Sequence, residues 1–483
     1  MSLYKKLLNQ TAIYGIATVL PRMLSFLLVR LYVDYMPAEE YGEVSVIFAY
    51  LIFFNVILSY GMETAFFRFY NTEEQKQKVI STSSISLLIS TGGFLLLGLF
   101  FRENIAHWSG IKSNYIFYTL LILALDALVI IPFSKLRAEG RPIKYAVIKI
   151  TNVAINLGLN VFFIVLLPKW QFGSTLLEKI YLPNFQIGYI FISNLIASLL
   201  TLVALLPDYF KLHWKFDTLL WKRMMRYGFP ILIAGIAFAI NEHFDKILLE
   251  WMDVPLSDIG AYSACYKIGM FMVLFRTAYT LGIEPFFFSH AKNESAPQTY
   301  AEITKYFVIF GSFISLGVIV FADVLKLLLV PKSEYWIAMD IVPLIVMANF
   351  FLGIYTNLSV WYKLIDKTKI GAYISIVGAL VTLLLNVLLI PSIGFVGSAI
   401  ATILAYGTMM FISYTLGQKK YPIPYDKNKI GRYLGLSTVL SILSFYIEIL
   451  RETYVFGIVA LLFYGYFVYT NEKQLFAKVL KRK

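Results

Sequence analysis

Cysteine is nearly absent. Cys265, the one residue of its type among 483, lies inside an apolar stretch, so neither a disulfide framework nor a cysteine metal site is possible. Histidine is scarce too: His107, His213, His243 and His290 are scattered without a His-Glu-x-x-His spacing, which argues against a zinc hydrolase. No Gly-Lys dipeptide occurs, so the chain has no P-loop and no ATPase of its own. Only 15% of residues are charged, against roughly 25% in an average soluble domain. The connections between apolar runs are short, about 20 residues at most, which leaves no room for a folded catalytic domain between them. The N-terminus lacks a small-residue cleavage site, and its first apolar run is expected to stay as a helix.

Apolar residues, by contrast, make up 59% of the chain, and mean hydropathy is +0.71. They fall in runs of roughly 18 to 25, the length that crosses a ~30 Å hydrocarbon core as a helix. Ten-residue segments with period-2 alternation are missing, which excludes a β-barrel. The spacing predicts about fourteen membrane-spanning helices, at 10–33, 41–66, 79–101, 116–133, 145–167, 187–207, 228–250, 259–288, 306–330, 338–362, 370–390, 395–416, 433–450 and 454–471. Connections after even-numbered spans are basic: Lys135, Arg137, Arg141 and Lys144 in one, Lys211, Lys215, Lys222, Arg223 and Arg226 in the next. Those after odd-numbered spans are poor in cations, and the first carries Asp34, Glu39 and Glu40 with no Lys or Arg. Positive-inside bias therefore predicts that both termini are cytoplasmic. The net charge of +13 is explained by topology and does not imply nucleic acid.

The chain also repeats itself. Arg30-Leu-Tyr-Val-Asp34-Tyr-Met36 is echoed by Lys246-Ile-Leu-Leu-Glu250-Trp-Met252, each followed by a glycine (Gly42, Gly260) and then by Gly-x-Glu (Gly61 to Glu63, Gly282 to Glu284). Lys135-Leu136, Tyr145 and Asn160-Val161 match Lys363-Leu364, Tyr373 and Asn386-Val387. Two related six-helix lobes are predicted, 1–210 and 211–420, with residues 421–483 adding two helices and a basic cytoplasmic tail. Six is even, so both lobes insert in the same direction.

Charge inside a span is costly and by default points to function. The cations are Arg22, Arg30, Lys149, Lys246, Lys267, Arg276 and Lys326; the acids are Asp126, Glu242, Asp245 and Asp323, with Glu63 and Glu284 at span ends. Arg22 follows Pro21 near the middle of the first span, too deep to snorkel. Its counterpart in the second lobe is Phe238, so this cation belongs to one lobe alone. It either faces a water-filled cavity and holds an anionic group, or pairs with a carboxylate such as Asp126. Arg30 and Lys246 are repeat equivalents, expected to face each other across a central cleft. Acids four residues on (Asp34, Glu250), and Glu242 before Lys246, make structural ion pairs the competing reading; Lys246 with Asp245 is equally a gate.

Lys267 and Arg276 lie about 180° apart around one helix, so one of them is structural, and Arg276 sits nearer mid-membrane. Asp126 either binds a coupling proton or Na⁺ or is a satisfied buried acid. The matched Glu63 and Glu284 favour a structural or gating role, while Lys149 and Lys326 snorkel. Aromatics are abundant (17%), partly as interface belts; some are expected to line a cavity for sugar rings or a polyprenyl tail. Pro21, Pro230, Pro285 and Pro343 lie in or beside spans, where proline kinks helices.

One family carries the same pattern. Arg22 through Arg30-Leu-Tyr to Pro37-Ala-Glu-Glu-Tyr-Gly42, and Gly61-Met-Glu-Thr-Ala-Phe-Phe-Arg68-Phe-Tyr70, resemble the start of polysaccharide-biosynthesis flippases. So do Leu136-Arg-Ala-Glu-Gly-Arg-Pro142, Asp245-Lys246 with Gly260-Ala-Tyr-Ser-Ala-Cys-Tyr-Lys267, and Asn386-Val-Leu-Leu-Ile-Pro391 with Gly394 and Gly397-Ser-Ala-Ile-Ala-Thr402. The resemblance covers most of residues 10–420. It is to Wzx-type flippases of the multidrug/oligosaccharidyl-lipid/polysaccharide (MOP) exporter superfamily, relatives of MurJ and MATE proteins.

It implies an all-α membrane protein with V-shaped lobes that moves undecaprenyl-pyrophosphate-linked oligosaccharide (an O-antigen, capsule or exopolysaccharide repeat unit) across the bacterial inner membrane. Alternating access would be driven by H⁺ or Na⁺, without a cofactor. Cavity cations are thought to hold the pyrophosphate in such families, and here Arg22, Arg30, Lys246 and Arg276 are placed to do so. Asp126, Glu63, Glu284 and Asp245 are the coupling or gating candidates. MATE proteins use acids in helix 1 for coupling, whereas this helix has Arg22 and Arg30 before its exit Asp34. Expected partners are the lipid-linked glycan, membrane lipids, a glycan polymerase and glycosyltransferases. The rivals are a cation-coupled drug exporter, a glycan polymerase or ligase, and a scaffold of a glycan-assembly complex.

Overall fold

In a computed structural model describing residues 15, 20, 21, 23, 24, 26–173, 175–289 and 294–473, none of the described residues lies in a strand. Each predicted span from the second onward coincides with a helix, and the described residues of the first are helical. These are α1 (26–35, the continuously described end of the first span), α2 (Ala38–Thr72), α3 (Lys76–Phe100), α4 (Ser113–Ala138), α5 (Pro142–Trp170), α6 (Gln186–Phe210) and α7 (Thr218–His243, continued by Asp245–Trp251). Then come α8 (Leu256–Ser289), α9 (Ala296–Val320), α10 (Ser333–Leu364), α11 and α12 (the two arms of Lys369–Lys420), α13 (Lys427–Tyr446) and α14 (Val455–Asn471). Nine helices among the described residues are long and apolar enough to cross a membrane. This is an all-α, multi-pass membrane protein.

Local chemistry sets the boundaries. Pro142 opens α5, where a missing N–H costs nothing. Asp217 and Asp426 cap α7 and α13, accepting from the N–H groups of Leu220 and Lys429 at 2.9 and 3.0 Å. Shortly after Pro391, Gly394 (φ +56°) leaves helical geometry and separates α11 from α12. Polar side chains within the spans bond to carbonyls one turn back, as Ser83 does to Val79, Ser134 to Ile130 and Thr201 to Ala197.

The chain divides into two compact units, residues 1–260 and 261–483. In the first, α6 packs on α4 and α5, α4 on α2 and α3, and α7 on α2. Its core gathers Met62, Phe66, Phe69 and Tyr70 of α2 with Val79 and Ile80 of α3 and Met224 of α7. Here two repeat-matched glycines touch. A Cβ on Gly42 would come within 1.9 Å of the Leu256 carbonyl oxygen, and one on Gly260 within 1.9 Å of the Ala38 carbonyl oxygen. The contact is reciprocal, since Ala38 and Leu256 stand at the same offset as the glycines. The matched Asn160 and Asn386 are both fully buried. Asn160 accepts from the Tyr32 hydroxyl at 3.0 Å, and Asn386 donates to the Thr382 carbonyl at 2.7 Å.

In the second unit α9 touches α10, α13 and α14, and α10 packs along α11 and α12. Trp361, Tyr300 and Tyr406 fill that core, and the Trp361 indole donates to the Ser413 carbonyl at 3.1 Å. The last two helices, which lie outside the repeat, are fastened at both ends. Arg451, between α13 and α14, makes a bidentate pair with Asp323 at 2.6 and 2.8 Å. Glu472, at the other end of α14, takes Lys305 of α9 at 3.2 Å, with Lys429 at 3.0 Å and the Tyr433 hydroxyl at 3.1 Å, both from α13.

Candidate functional site

Arg22 and the side chain of Glu284 lie outside the described residues. Arg30 sits on α1 and pairs with Asp34 one turn on, its Nε 3.0 Å from Oδ2, with both side chains partly exposed. Lys246 is buried. Its Nζ lies 3.0 and 3.1 Å from the two oxygens of Asp245, while Asp245 Oδ1 also accepts from the Lys246 backbone N–H. The break in α7 explains that adjacency. Asp245 begins the short helix Asp245–Trp251, where a first-residue carboxylate reaches the nearest free N–H. Glu250, the i,i+4 neighbour of Lys246, instead accepts from the Tyr50 hydroxyl at 3.3 Å, and the Trp251 indole donates to the same hydroxyl at 2.7 Å.

Tyr50 and Trp251 also form the edge of a chamber of about 490 Å³ among α2, α3, α4 and the end of α7. Phe53, Phe54, Phe94, Phe101 and Phe244 are among its walls. Its few hydroxyls are already engaged: Ser109 bonds to Ile105, Thr119 to Tyr115, and Tyr50 as above. The chamber therefore presents carbon. A space of this kind excludes water and accepts hydrocarbon. Trp108 stands 72% exposed at its margin, edge-on to Trp251 with centroids 5.9 Å apart, as tryptophans do at membrane interfaces.

Deeper in the same unit Asp126 of α4 accepts from the Ser198 hydroxyl of α6 at 2.8 Å and from Asn55 of α2. Asn152 of α5 donates to Thr201 of α6 at 2.9 Å. Lys149 lies over the Phe133 ring at 4.4 Å. Glu63 pairs with Arg137 at 2.8 Å, tying the end of α2 to the end of α4, and both side chains are about half exposed.

In the second unit the Arg276 stem lies where a Cβ on Gly353 would contact it, at 3.6 Å, and Tyr279 donates to Asn357 at 2.6 Å one turn away. Lys326 pairs with Asp323 at 2.6 Å and covers Trp336, a structural arrangement. The structure thus gathers Lys246, Asp245, Glu250 and the chamber onto the end of α7 and its neighbours, and it places Asp126 among polar side chains within electrostatic reach of Lys149. Sequence reasoning passed over Asn55, Asn152, Ser198 and Tyr50, because uncharged polar residues are common in spans and none stands out until a partner is seen.

These features define a multi-pass helical protein with ion pairs set into its spans and a hydrocarbon-lined chamber. Residues 7–289 match the family model described as polysaccharide biosynthesis protein, and the chain belongs to that family. Residues 230–388 match the MatE family model.

The chain is similar to YoeA of Bacillus subtilis (strain 168), described as a probable multidrug resistance protein: 22% identical over 46% of this chain and 50% of that one. It is also similar to Agl15 of Haloferax volcanii, described as a probable low-salt glycan biosynthesis flippase: 22% identical over 38% of this chain and 40% of that one. The chain thus spans half or less of the length of the curated relatives it matches. Its fold is that of the lipid II flippase MurJ in an inward closed conformation, with TM-score 0.74 and 16% identity, covering 95% of this chain and 99% of the other. An inward-facing multidrug resistance MATE family transporter of the MOP superfamily also superposes, with TM-score 0.65 and 13% identity over 85% and 94% of the two chains. The expected membership in the MOP superfamily holds, with relatives among both MurJ and MATE proteins.

Proposed function

We propose that the protein is a flippase, making and breaking no bonds, that carries undecaprenyl-pyrophosphate-linked oligosaccharide across the bacterial inner membrane by alternating access. Both termini lie in the cytoplasm. The observation that carries this reading is the pairing, within one unit of a polysaccharide-biosynthesis chain, of cations set in the spans with a carbon-lined chamber. A polyprenyl diphosphate needs both chemistries at once.

Arg22, Arg30 and Lys246 of the first unit are the cations assigned to the diphosphate, with Arg276 of the second unit a separate candidate, and arginine suits this because its planar fork matches phosphate oxygens. Lys246 holds Asp245 in this structure, so the diphosphate takes Lys246 only by displacing that carboxylate. Exchange of partners then links substrate binding to opening. The isoprene units nearest the diphosphate enter the chamber, and the rest of the tail stays in lipid.

The test is flipping of a fluorescent polyprenyl-diphosphate oligosaccharide in proteoliposomes. Arg22→Ala and Lys246→Ala are each expected to lower the rate at least tenfold at unchanged protein levels, and wild-type rates in both would sink the assignment.

A cation-coupled drug exporter is the second reading, favoured by the MatE match over residues 230–388. Asp126 carries the coupling H⁺ or Na⁺ in either case, because a buried carboxylate bonded to the neutral Ser198 and Asn55, with Lys149 near enough to act on it, can trade a proton or small cation. Asp126→Asn is expected to abolish gradient-driven transport while leaving downhill exchange of labelled substrate within about twofold. Drug resistance on expression, together with no glycan flipping, selects the exporter.

A further inference from the structure

The first unit holds a second cleft, of about 790 Å³, on the face carrying the basic connections. It is built by two segments, the start of α3 and the connection from α6 to α7. The Gln77 side chain ties them by donating to the Lys211 carbonyl at 3.0 Å, and the Asp217 N–H donates to Thr82 Oγ1 at 3.2 Å.

Four observations converge there. Lys76, Lys78, Lys215 and His213 line it, facing the two acids Glu74 and Asp217, and the Asp217 carboxylate is already spent on capping α7. Two long helices, α3 and α7, begin at its wall, and α3 begins with no side-chain cap and no acid in its first turn, so its positive dipole end faces the cleft. Ser81, one turn into α3, is part of the same wall and 1% exposed, yet its hydroxyl has no hydrogen-bond partner, an arrangement that calls for a ligand. Finally, the connection alternates polar and basic residues with exposed apolar side chains: Phe210, Trp214, Phe216 and Leu219 are 79, 65, 42 and 76% exposed among Lys211, His213 and Lys215. Water does not favour that pattern, but the headgroup layer of a bilayer does, with aromatics in the interface and cations at the phosphates.

We infer that this cleft binds the phosphate headgroup of an anionic membrane lipid, separately from the transported substrate. The lysines and the start of α3 hold the phosphate, Ser81 donates to it, and Trp214 and Phe216 lie beside the acyl chains.

Native mass spectrometry of the detergent-purified full chain, titrated with phosphatidylglycerol or phosphatidylcholine, tests it. Wild-type protein is expected to retain phosphatidylglycerol at least fivefold over phosphatidylcholine. The triple variant Lys76→Gln, Lys78→Gln, Lys215→Gln is expected to lose that preference. Lys367→Gln, Lys369→Gln, Lys419→Gln removes the same charge from exposed positions elsewhere and is expected to keep it. Ser81→Ala, which changes no charge, is expected to weaken retention about threefold. Equal retention by the two triple variants overturns the site. Displacement of phosphatidylglycerol by millimolar inorganic phosphate, with equal thermal stabilisation by phosphate alone, overturns the lipid assignment in favour of a soluble anion.

Discussion

Replacing Gly260 with alanine is expected to cost about 3 kcal/mol or more, the upper range for forcing extra atoms into a packed contact, and to lower the yield of folded protein sharply. Gly→Ala usually favours a helix by roughly 1 kcal/mol, so here sign as well as size separates packing from propensity. The new Cβ would stand 1.9 Å from the Ala38 carbonyl oxygen. That atom belongs to backbone, so no side-chain rotation relieves the clash. Gly42→Ala meets the mirror-image obstacle at the Leu256 carbonyl oxygen and is expected to behave alike.

Because both glycines serve one crossing, the double variant is expected to fall well short of the sum of the two. Gly92→Ala and Gly93→Ala, where nothing lies within 4 Å, are the controls and are expected to be neutral or slightly stabilising. Thermal unfolding in detergent reads all five. A Gly260→Ala protein as stable as the controls would refute the contact.

The same pair shows how far sequence reaches. Gly42 and Gly260 were visible as matched marks of a repeat, because identical spacing is a one-dimensional property. That they touch each other was not, since contact depends on how α2 and the start of α8 cross. The spans were legible for the same reason as the repeat: hydrocarbon thickness imposes a length, and loops impose a charge bias. The break of α7 at Phe244 was not legible, as no proline or glycine marks it, although the Lys246–Asp245 pair found there was one of the two readings the sequence offered.

Among the candidate site residues, charge was the readable signal and geometry the unreadable one. Arg30 with Asp34 follows from i,i+4 spacing. Asp126 with Ser198, 72 residues away, does not. The chamber was hidden more deeply still. Aromatics facing lipid and aromatics facing a cavity look alike in a sequence that is 17% aromatic, and only the tertiary arrangement collects Phe53, Phe94 and Phe244 around one space.

Glu472 received no attention from sequence because it follows the last span in a polar tail, yet its removal is the second large expected effect. Burial pushes its carboxyl pKa upward, but the bonds from Lys429 and Lys305 and their charges outweigh burial and hold it below the usual carboxylate range. Glu472→Gln keeps the shape and removes the charge, leaving Lys305 nearly buried without its carboxylate. Breaking a buried pair in this way typically costs about 3–5 kcal/mol. Lys429 is 40% exposed and can turn to water, which brings the expectation to about 2–3 kcal/mol.

The pH dependence follows from the direction of the shift. A carboxyl whose pKa is lower in the folded state contributes its full stabilisation above the unfolded value of about 4.3. That contribution is lost progressively as pH falls through the folded value. Wild type and Glu472→Gln are therefore expected to differ by a constant gap in melting temperature from pH 8 to about pH 5, and to converge in stronger acid, where the wild-type carboxyl is also neutral. Lys305→Met, which removes the buried cation instead, is expected to restore part of the stability lost in Glu472→Gln when the two are combined, because the charge that made the first change costly is gone. A gap that persists in acid, or no rescue by Lys305→Met, would show that α14 is held to α9 and α13 by packing alone.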